Sequence, residues 1–506
     1  MQEFGWKKPE IRGRKFYTKQ INWCFVILAF TAFACFAFYN NVSRLVFAEN
    51  KTDLFQNNLE DLAFYFMGRD QDTANLLMSI DSVKRNYAKG DANFIRDNKG
   101  NMEYILQYLS NHPEQLKQLG LHSYSGIIDV ISDISKYNDD IFSLLGETEE
   151  QRYLVVLQNS AEKRPNGGFF GSFAIVTIKD ATITNIQLMD SYYPNKLDPS
   201  ATIKAPDRAT NTFLSGEDTI TFLASNKFGF TDMDGKNIKA IYEKVFHKTV
   251  RGVIFVNSQA FADLIPGFDK KLREWMFTNA ATDIIRGGNF PNKKEHYLKE
   301  VAEILNSQKD TLIKNMVKNI RYLLDNNYFH VYLDNAGGGL TKSLVTQGLT
   351  TSFRDDQIYF RDYNNAYNKI DMFIKKNIVF TDMNGERVID TSKDIVDIKS
   401  LATGTYNVSI SYALSIPPSY PQEIADLEKK YGIELTIREK TILGLYAARS
   451  TRGVVYAPKH VVISNVEGQQ KSSQLFDTPF SHNALYILQN GTDNTIKTVS
   501  MQIEIK

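Results

Sequence analysis

The chain has 506 residues, and 59 Lys+Arg against 58 Asp+Glu leave a formal net charge of +1. That balance gives no strong field for nucleic acid or an acidic polymer, so neither is expected as a partner. Both cysteines, Cys24 and Cys35, lie in one apolar stretch, so the rest of the chain holds no disulfide and relies on core burial. The roughly 460 residues that follow exceed a single core and point to two or three domains.

In chain order, the first signal is Ile21 to Ser43 (INWCFVILAFTAFACFAFYNNVS), which carries no charged side chain. About 20 helical residues cross the roughly 30 Å of bilayer hydrocarbon, so this segment is long enough to be an anchor. Trp23 and Tyr39 stand near its ends, where amphipathic rings favour the lipid–water boundary. Lys7, Lys8, Arg12, Arg14, Lys15 and Lys19 precede it, and short basic flanks stay cytoplasmic. The expectation is a cytoplasmic tail at 1–20, a single signal-anchor helix at 21–43, and a body outside the cytoplasm. No Ala-x-Ala exit follows Tyr39, which argues against cleavage. Ala32 stands where a lipoprotein signal ending at Cys35 needs a branched aliphatic residue.

Residues 44–150 read as a helical neck. Leu54, Leu59, Leu62, Phe66, Leu76, Leu77, Ile80 and Val83 recur at steps of three and four, and Asn98 to Asn101 reads as a break. The periodicity resumes from Met102 and continues to Gly146.

Residues 151–355 read as an α/β domain. Buried strands are expected at Tyr153–Leu157, Phe173–Ile178 and Val250–Val256, with another at Ala181–Met189. Helices are expected at Gly235–Phe246 behind a Thr231-Asp232 cap, at Lys294–Ser307, at Thr311–Asn326 and at Gly338–Gly348. Strand Tyr328–Leu333 lies between the last two.

Residues 356–506 read as short strands with regular turns, the pattern of a β-sandwich. The strands expected are Asp371–Asp382, Tyr406–Leu414, Ile433–Arg438, Gly453–Val455, Val461–Ser464, Tyr486–Gln489 and Thr495–Lys506. The fold class is therefore α+β or α/β: an N-terminal transmembrane helix, a helical neck, a mixed α/β domain and a β-sandwich-like tail.

The densest local signal is Gln158 to Ser172 (QNSAEKRPNGGFFGS), between two buried strands. Gly167 and Gly168 permit positive φ or close backbone approach. Arg164 is a planar, always-charged fork suited to carboxylate or phosphate, and Glu162 is a neighbouring acceptor. Asn159, Glu162, Arg164, Gly167, Gly168 and Ser172 are the candidate ligand-binding residues. The same loop also reads as a tight structural connection in which Arg164 pairs with Glu162. Its spacing fits neither a Walker phosphate loop nor a dinucleotide fingerprint.

Elsewhere the chemistry is thin. Asp232 to Gly235 fails as a calcium loop, because the twelve-position count puts Phe230 first and Ile241 last. Asp382-Met383-Asn384-Gly385 reads as a hairpin turn. The seven histidines never pair at metal-ligand spacing, and no Gly-x-Ser-x-Gly elbow occurs. No catalytic residue, metal or cofactor is therefore assigned.

The segment YLVVLQNSAEKRPNGGFFGSFAIVTI resembles the hallmark of domain of unknown function 4012, a family of bacterial surface proteins. Gln158, Asn159, Glu162, Arg164, Pro165, Gly167, Gly168, Phe169, Gly171 and Ser172 fit that hallmark, while Ser160 and Asn166 replace its usual Asn and Thr. Tyr242 to Phe255 resembles a later helix-to-strand segment, with Arg251 in place of its Asp. Asn364 to Asp371 resembles an Asn-rich, Lys-containing block before the final strands. The resemblance implies a single-pass membrane protein of the bacterial envelope, and no reaction. The expected partners are the bilayer and a cell-wall or surface glycopolymer or a protein, bound by a non-enzymatic module. The layout is more distantly similar to the LytR-CpsA-Psr glycopolymer transferases, whose rival reading would need Asp190, Arg208 and Asp234 to converge on Arg164.

Overall fold

A computed structural model describes residues 70–112, 133–205, 216–281, 319–445, 449–467 and 474–506, with interruptions at 90–93, 134, 327, 335–337, 365–368, 478–480 and 491–495, and positions 211, 308 and 315 besides. The expected anchor at 21–43, the helix at 294–307 and Arg208 lie outside the described residues. Among the described residues no helix is long and apolar enough to cross a membrane.

Helices α1 (Gln71–Lys89) and α2 (Phe94–Asn111) form an antiparallel pair. Leu76, Leu77, Ile80, Met102 and Ile105 are buried, the outcome the three-and-four spacing dictates. The break expected at Asn98 to Asn101 is instead helical, because its polar side chains serve as glue between the helices. Asn86 donates to buried Asn98 at 2.8 Å, and Asn101 donates to Ser82 at 3.0 Å. Gly100 faces open space, so it adds no packing and does not stop the helix.

Helix α3 (Asn138–Leu144) ends at Gly146, whose φ of +80° turns the chain back. The carbonyls of Leu145 and Gly146 accept from Ala181 and Asp180 at 2.8 and 3.0 Å, and Tyr153 Oη donates to Leu144 at 2.5 Å. The end of the neck is thus bonded directly to the next layer.

That layer is a mixed sheet. Its first part is β1 (Gln151–Asn159), β2 (Phe169–Lys179) and β3 (Thr182–Asp190). Short α4 (Tyr193–Leu197) and the small ribbon β4 (Ile203–Lys204) with β5 (Thr219–Ile220) follow. Then come α5 (Thr231–Phe246), β6 (Gly252–Asn257), α6 (Ser258–Leu264), α7 (Phe268–Ala280), α8 (Ile320–Asp325), β7 (Phe329–Leu333) and α9 (Gly338–Thr346). The strand order is β3-β2-β1-β6-β7, with β1 and β6 parallel and the other pairs antiparallel. Leu154, Val156, Phe173, Val253 and Phe255 build its core against Ile238, Ile241 and Tyr242 of α5.

Helix α5 starts at Thr231, four residues before the expected Gly235, so both proposed caps lie inside it, and Asp232 Oδ1 accepts from the first-turn Met233 N at 2.7 Å. Thr231 Oγ1 meets Thr351 Oγ1 at 2.8 Å, while Asp232 accepts from Ser352 at 2.6 Å. Gly235 is needed inside the helix because a Cβ there would run into the Tyr332 ring.

The remaining strands form two antiparallel sheets sharing one core. They are β8 (Gln357–Asn364), β9 (Ile374–Thr381), β10 (Arg387–Thr391), β11 (Ile395–Asp397) and β12 (Gly404–Leu414). Helices α10 (Tyr420–Tyr431) and α11 (Ile437–Ile442) interrupt them. β13 (Arg449–Pro458), β14 (Val461–Glu467), β15 (Gln474–Asp477), β16 (Ser481–Asn490) and β17 (Lys497–Ile505) complete the set. The orders are β10-β9-β12-β17-β14 and β11-β8-β13-β16-β15. Phe360, Val455 and Ala484 of one sheet meet Phe380, Ile410 and Ile503 of the other. The turn at Asp382–Gly385 is present as expected, with Gly385 at φ +86° and Asp382 accepting from Glu386 N at 2.8 Å.

The strand expected at Ile433–Arg438 is absent. Gly432 closes α10 in the left-handed region, and Thr436 with Glu439 forms a capping box that starts α11. Ile433, Leu435 and Ile437 alternate as a strand would, yet only Leu435 is buried and Ile437 is 77% exposed. The capping chemistry outweighed the period-two pattern.

Candidate functional site

The Gln158–Ser172 hallmark leaves the C-terminal end of β1 and returns as β2. Its glycines are dictated sterically. Gly167 has φ +94°, and a Cβ there would press on the Gln158 amide. At Gly168 a Cβ would strike the Asn159 carbonyl. Gln158 donates to the Asn166 carbonyl, Asn159 Oδ1 accepts from Ala161 N at 3.1 Å, and Phe169 N donates to Glu162 O at 2.9 Å. Asn226 Nδ2 adds a bond to Gly168 O at 2.7 Å. The loop is a folded unit in its own right, with Gln158, Glu162, Arg164 and Asn166 all buried.

The loop is also sewn to the sandwich. Lys163 N donates to Asp371 Oδ2 at 2.8 Å, and Asn364 N donates to Lys163 O at 3.1 Å. Asn364 Nδ2 reaches the same Asp371 oxygen at 2.6 Å. Lys369 Nζ donates to Glu162 Oε2 at 2.7 Å. The hallmark and the Asn364–Asp371 block, some two hundred positions apart in the chain, therefore meet in space.

Behind this seam lies a buried charged network. The Lys163 ammonium is 3.5 Å from Asp362 and 3.3 Å from Asp394. Lys376 bonds the same two acids at 2.9 and 2.7 Å. Tyr412 and Tyr486 donate to Asp362 at 2.6 and 3.0 Å. Burial alone would raise the Asp394 carboxyl, but Lys163 and Lys376 hold it below the ordinary range. Burial, with Asp362 alongside, pushes the Tyr486 hydroxyl well up, so it stays a donor.

Arg164 stands apart from this satisfied network. It is 4% exposed, and its Nε and Nη1 have no hydrogen-bond partner. Its guanidinium carbon lies 5.1 Å from the centre of the Phe169 ring and 4.7 Å from that of Tyr363. The expected pairing with Glu162 is long, 3.9 Å, because that carboxylate is already bonded to Lys369.

Lys227, which the sequence reading did not single out, joins it. Its ammonium is 4.9 Å from the same Tyr363 ring centre, and no carboxylate among the described residues lies within ion-pair distance. Burial first, then the Arg164 charge, pushes its amine down to about 7. Nothing in the spacing of Ser225-Asn226-Lys227 marked it, since only the fold brings it to Tyr363.

The other candidates are engaged in bonds of their own. Ser172 pairs across the sheet with Asp190, which accepts from Tyr192 N at 2.9 Å. Asp234 is fully buried and accepts from Phe228 and Gly229 N at 3.1 and 2.9 Å, with Arg361 as its charge neighbour. Arg251 donates its backbone N–H to Arg152 O, at the start of β1. At about 3.3 Å per residue the hallmark is roughly 20 Å away along that strand. A separate cleft of about 250 Å³ is lined by Thr350, Ser352, Gln357, Lys393 and Asp394. Its Arg354 is already forked onto Asp356 at 2.9 and 2.7 Å. No group of three His, Cys, Asp or Glu among the described residues is placed to hold a metal ion.

No curated protein and no solved structure matches this chain. Residues 148–269 match the family described as "Protein of unknown function (DUF4012)". That span carries the whole hallmark loop, the Arg251 segment and Lys227, and it agrees with the resemblance read from Gln158 to Ser172. The likeness to the DUF4012 family is thus carried by the segment 148–269.

Proposed function

We propose that this chain is a single-pass membrane protein of the bacterial envelope, anchored at 21–43 with its N-terminus in the cytoplasm. Its body outside the cytoplasm acts as a non-enzymatic module that binds a cell-wall or surface glycopolymer or a partner protein. One observation supports this most: the acids bonded around the hallmark loop are engaged in joining it to the sandwich. Glu162 Oε2 holds Lys369, and Asp371 Oδ2 holds Lys163 N and Asn364, so both carboxylates serve the joint between loop and sandwich. A glycopolymer transferase of this layout needs several basic groups and an acid in one open cleft. Asp234 is fully buried and bonded to the Phe228 and Gly229 amides, and Arg251 lies at the other end of β1, which weighs against that alternative.

Protease added to protoplasts should degrade everything beyond about residue 44 and spare the basic tail. The purified full-length protein should co-sediment with isolated cell-wall polymer and show no magnesium-dependent turnover of polyprenyl-linked sugar. A form lacking its first forty or so residues in untreated cells would contradict the anchor. Turnover abolished by Arg164→Ala, with folding intact, would replace the binding reading by the transferase.

A further inference from the structure

Two buried cations gathered on one ring with no close acceptor are unfavourable, because each loses water and is repelled by the other. Arg164 and Lys227 are in that position, 4% and 6% exposed, and both lean on Tyr363. The groups around them tip the balance further. Glu162 is shared with Lys369. Arg452, whose Cα pairs with Tyr363 across β8 and β13, adds a second repulsive charge on Lys227. Glu217 is an acid acting on Lys227, and it is exposed. Asn166 Nδ2, two residues from Arg164, is a further buried donor with no partner. Half-exposed Tyr192, 6.3 Å from Phe169, lies next to Arg164 and Glu162 and gives this corner a side toward solvent.

We propose that Arg164 and Lys227, gathered on the ring of Tyr363, form a binding site for a phosphomonoester-type dianion. A dianion matches the pair of cations, which Glu162 at 3.9 Å and exposed Glu217 offset only in part, whereas a carboxylate would match one. The guanidinium offers Nε and Nη1 as a donor pair, and Lys227 adds a point charge. Two sources carry this chemistry: a phosphorylated surface polymer and a phosphomonoester lipid headgroup. The inference rests on the binding-module reading and names the ligand class of that module.

The test uses the full chain in neutral detergent, with inorganic phosphate against chloride at equal ionic strength. Phosphate should raise the melting temperature, and Arg164→Gln and Lys227→Gln should each weaken binding by about tenfold or more. Without phosphate neither variant should melt below the parent, because each removes a buried cation that is offset only in part. Lys227→Arg should restore binding. Calorimetry near pH 7, in two buffers of different ionisation heat, should show proton uptake that Lys227→Gln abolishes. No stabilisation of the parent, or equal stabilisation of parent and both glutamine variants, would overturn the proposal. Flotation with phosphatidic acid vesicles assigns the lipid source, and retention on immobilised phosphorylated polysaccharide assigns the polymer. Retention on neither overturns it. Phosphate binding is read without cell wall, so its failure is separable from failure of the envelope reading.

Discussion

Asp362→Ala should cost about 3–5 kcal/mol, one of the largest single losses in the protein. Its two oxygens accept from Tyr412, Tyr486 and Lys376, with Lys163 at 3.5 Å, and the residue is fully buried. Removal would leave the two tyrosine hydroxyls with only each other, at 2.7 Å, and strip two ammonium groups of a buried counter-charge. Unpaired buried groups of this kind carry most of the penalty, more than the lost bonds themselves. Urea unfolding should show the lower midpoint with unchanged slope. Asp362→Asn should fall between, since it keeps an acceptor but leaves Asp394 as the one carboxylate bonded to Lys376.

Gly168→Val should be nearly as damaging, at about 3 kcal/mol or more, because the added atoms meet backbone and not a side chain that can swing away. A Cβ at Gly168 is aimed at the Asn159 carbonyl, which itself accepts from Glu162 N at 3.2 Å. The clash therefore opens the loop, not only one contact. Gly100→Ala is the control. Nothing lies within 4 Å of its Cβ position inside α2, so the helix should gain about 0.5–1 kcal/mol. Thermal unfolding of the two variants side by side separates steric need from mere glycine content.

The sequence disclosed these features unevenly, and the reasons are physical. Strands with continuous apolar runs, such as Tyr153–Leu157 and Val250–Val256, announced themselves because both faces are covered. The sandwich strands were legible from their turns, as at Asp382–Gly385. Periodicity failed where polar side chains were doing structural work. Asn98 and Asn101 read as a break because their bonds to Asn86 and Ser82 exist only once α1 is packed against α2. At Ile433–Arg438 a two-residue alternation concealed the Thr436–Glu439 cap. The hallmark was visible as composition, but its purpose was not. Lys227 and Tyr363 reach Arg164 from distant parts of the chain, and no local pattern encodes that meeting.

The central claim is that the Gln158–Ser172 hallmark clamps the α/β domain onto the sandwich through Asp371. Amide hydrogen exchange in Asp371→Ala tests this most directly. The clamp predicts that Glu162 and Phe169 amides on one side and the Asn364 amide on the other lose protection together, while β1 and the rest of β2 keep theirs. Unchanged protection at Glu162, Phe169 and Asn364 in that variant would contradict it.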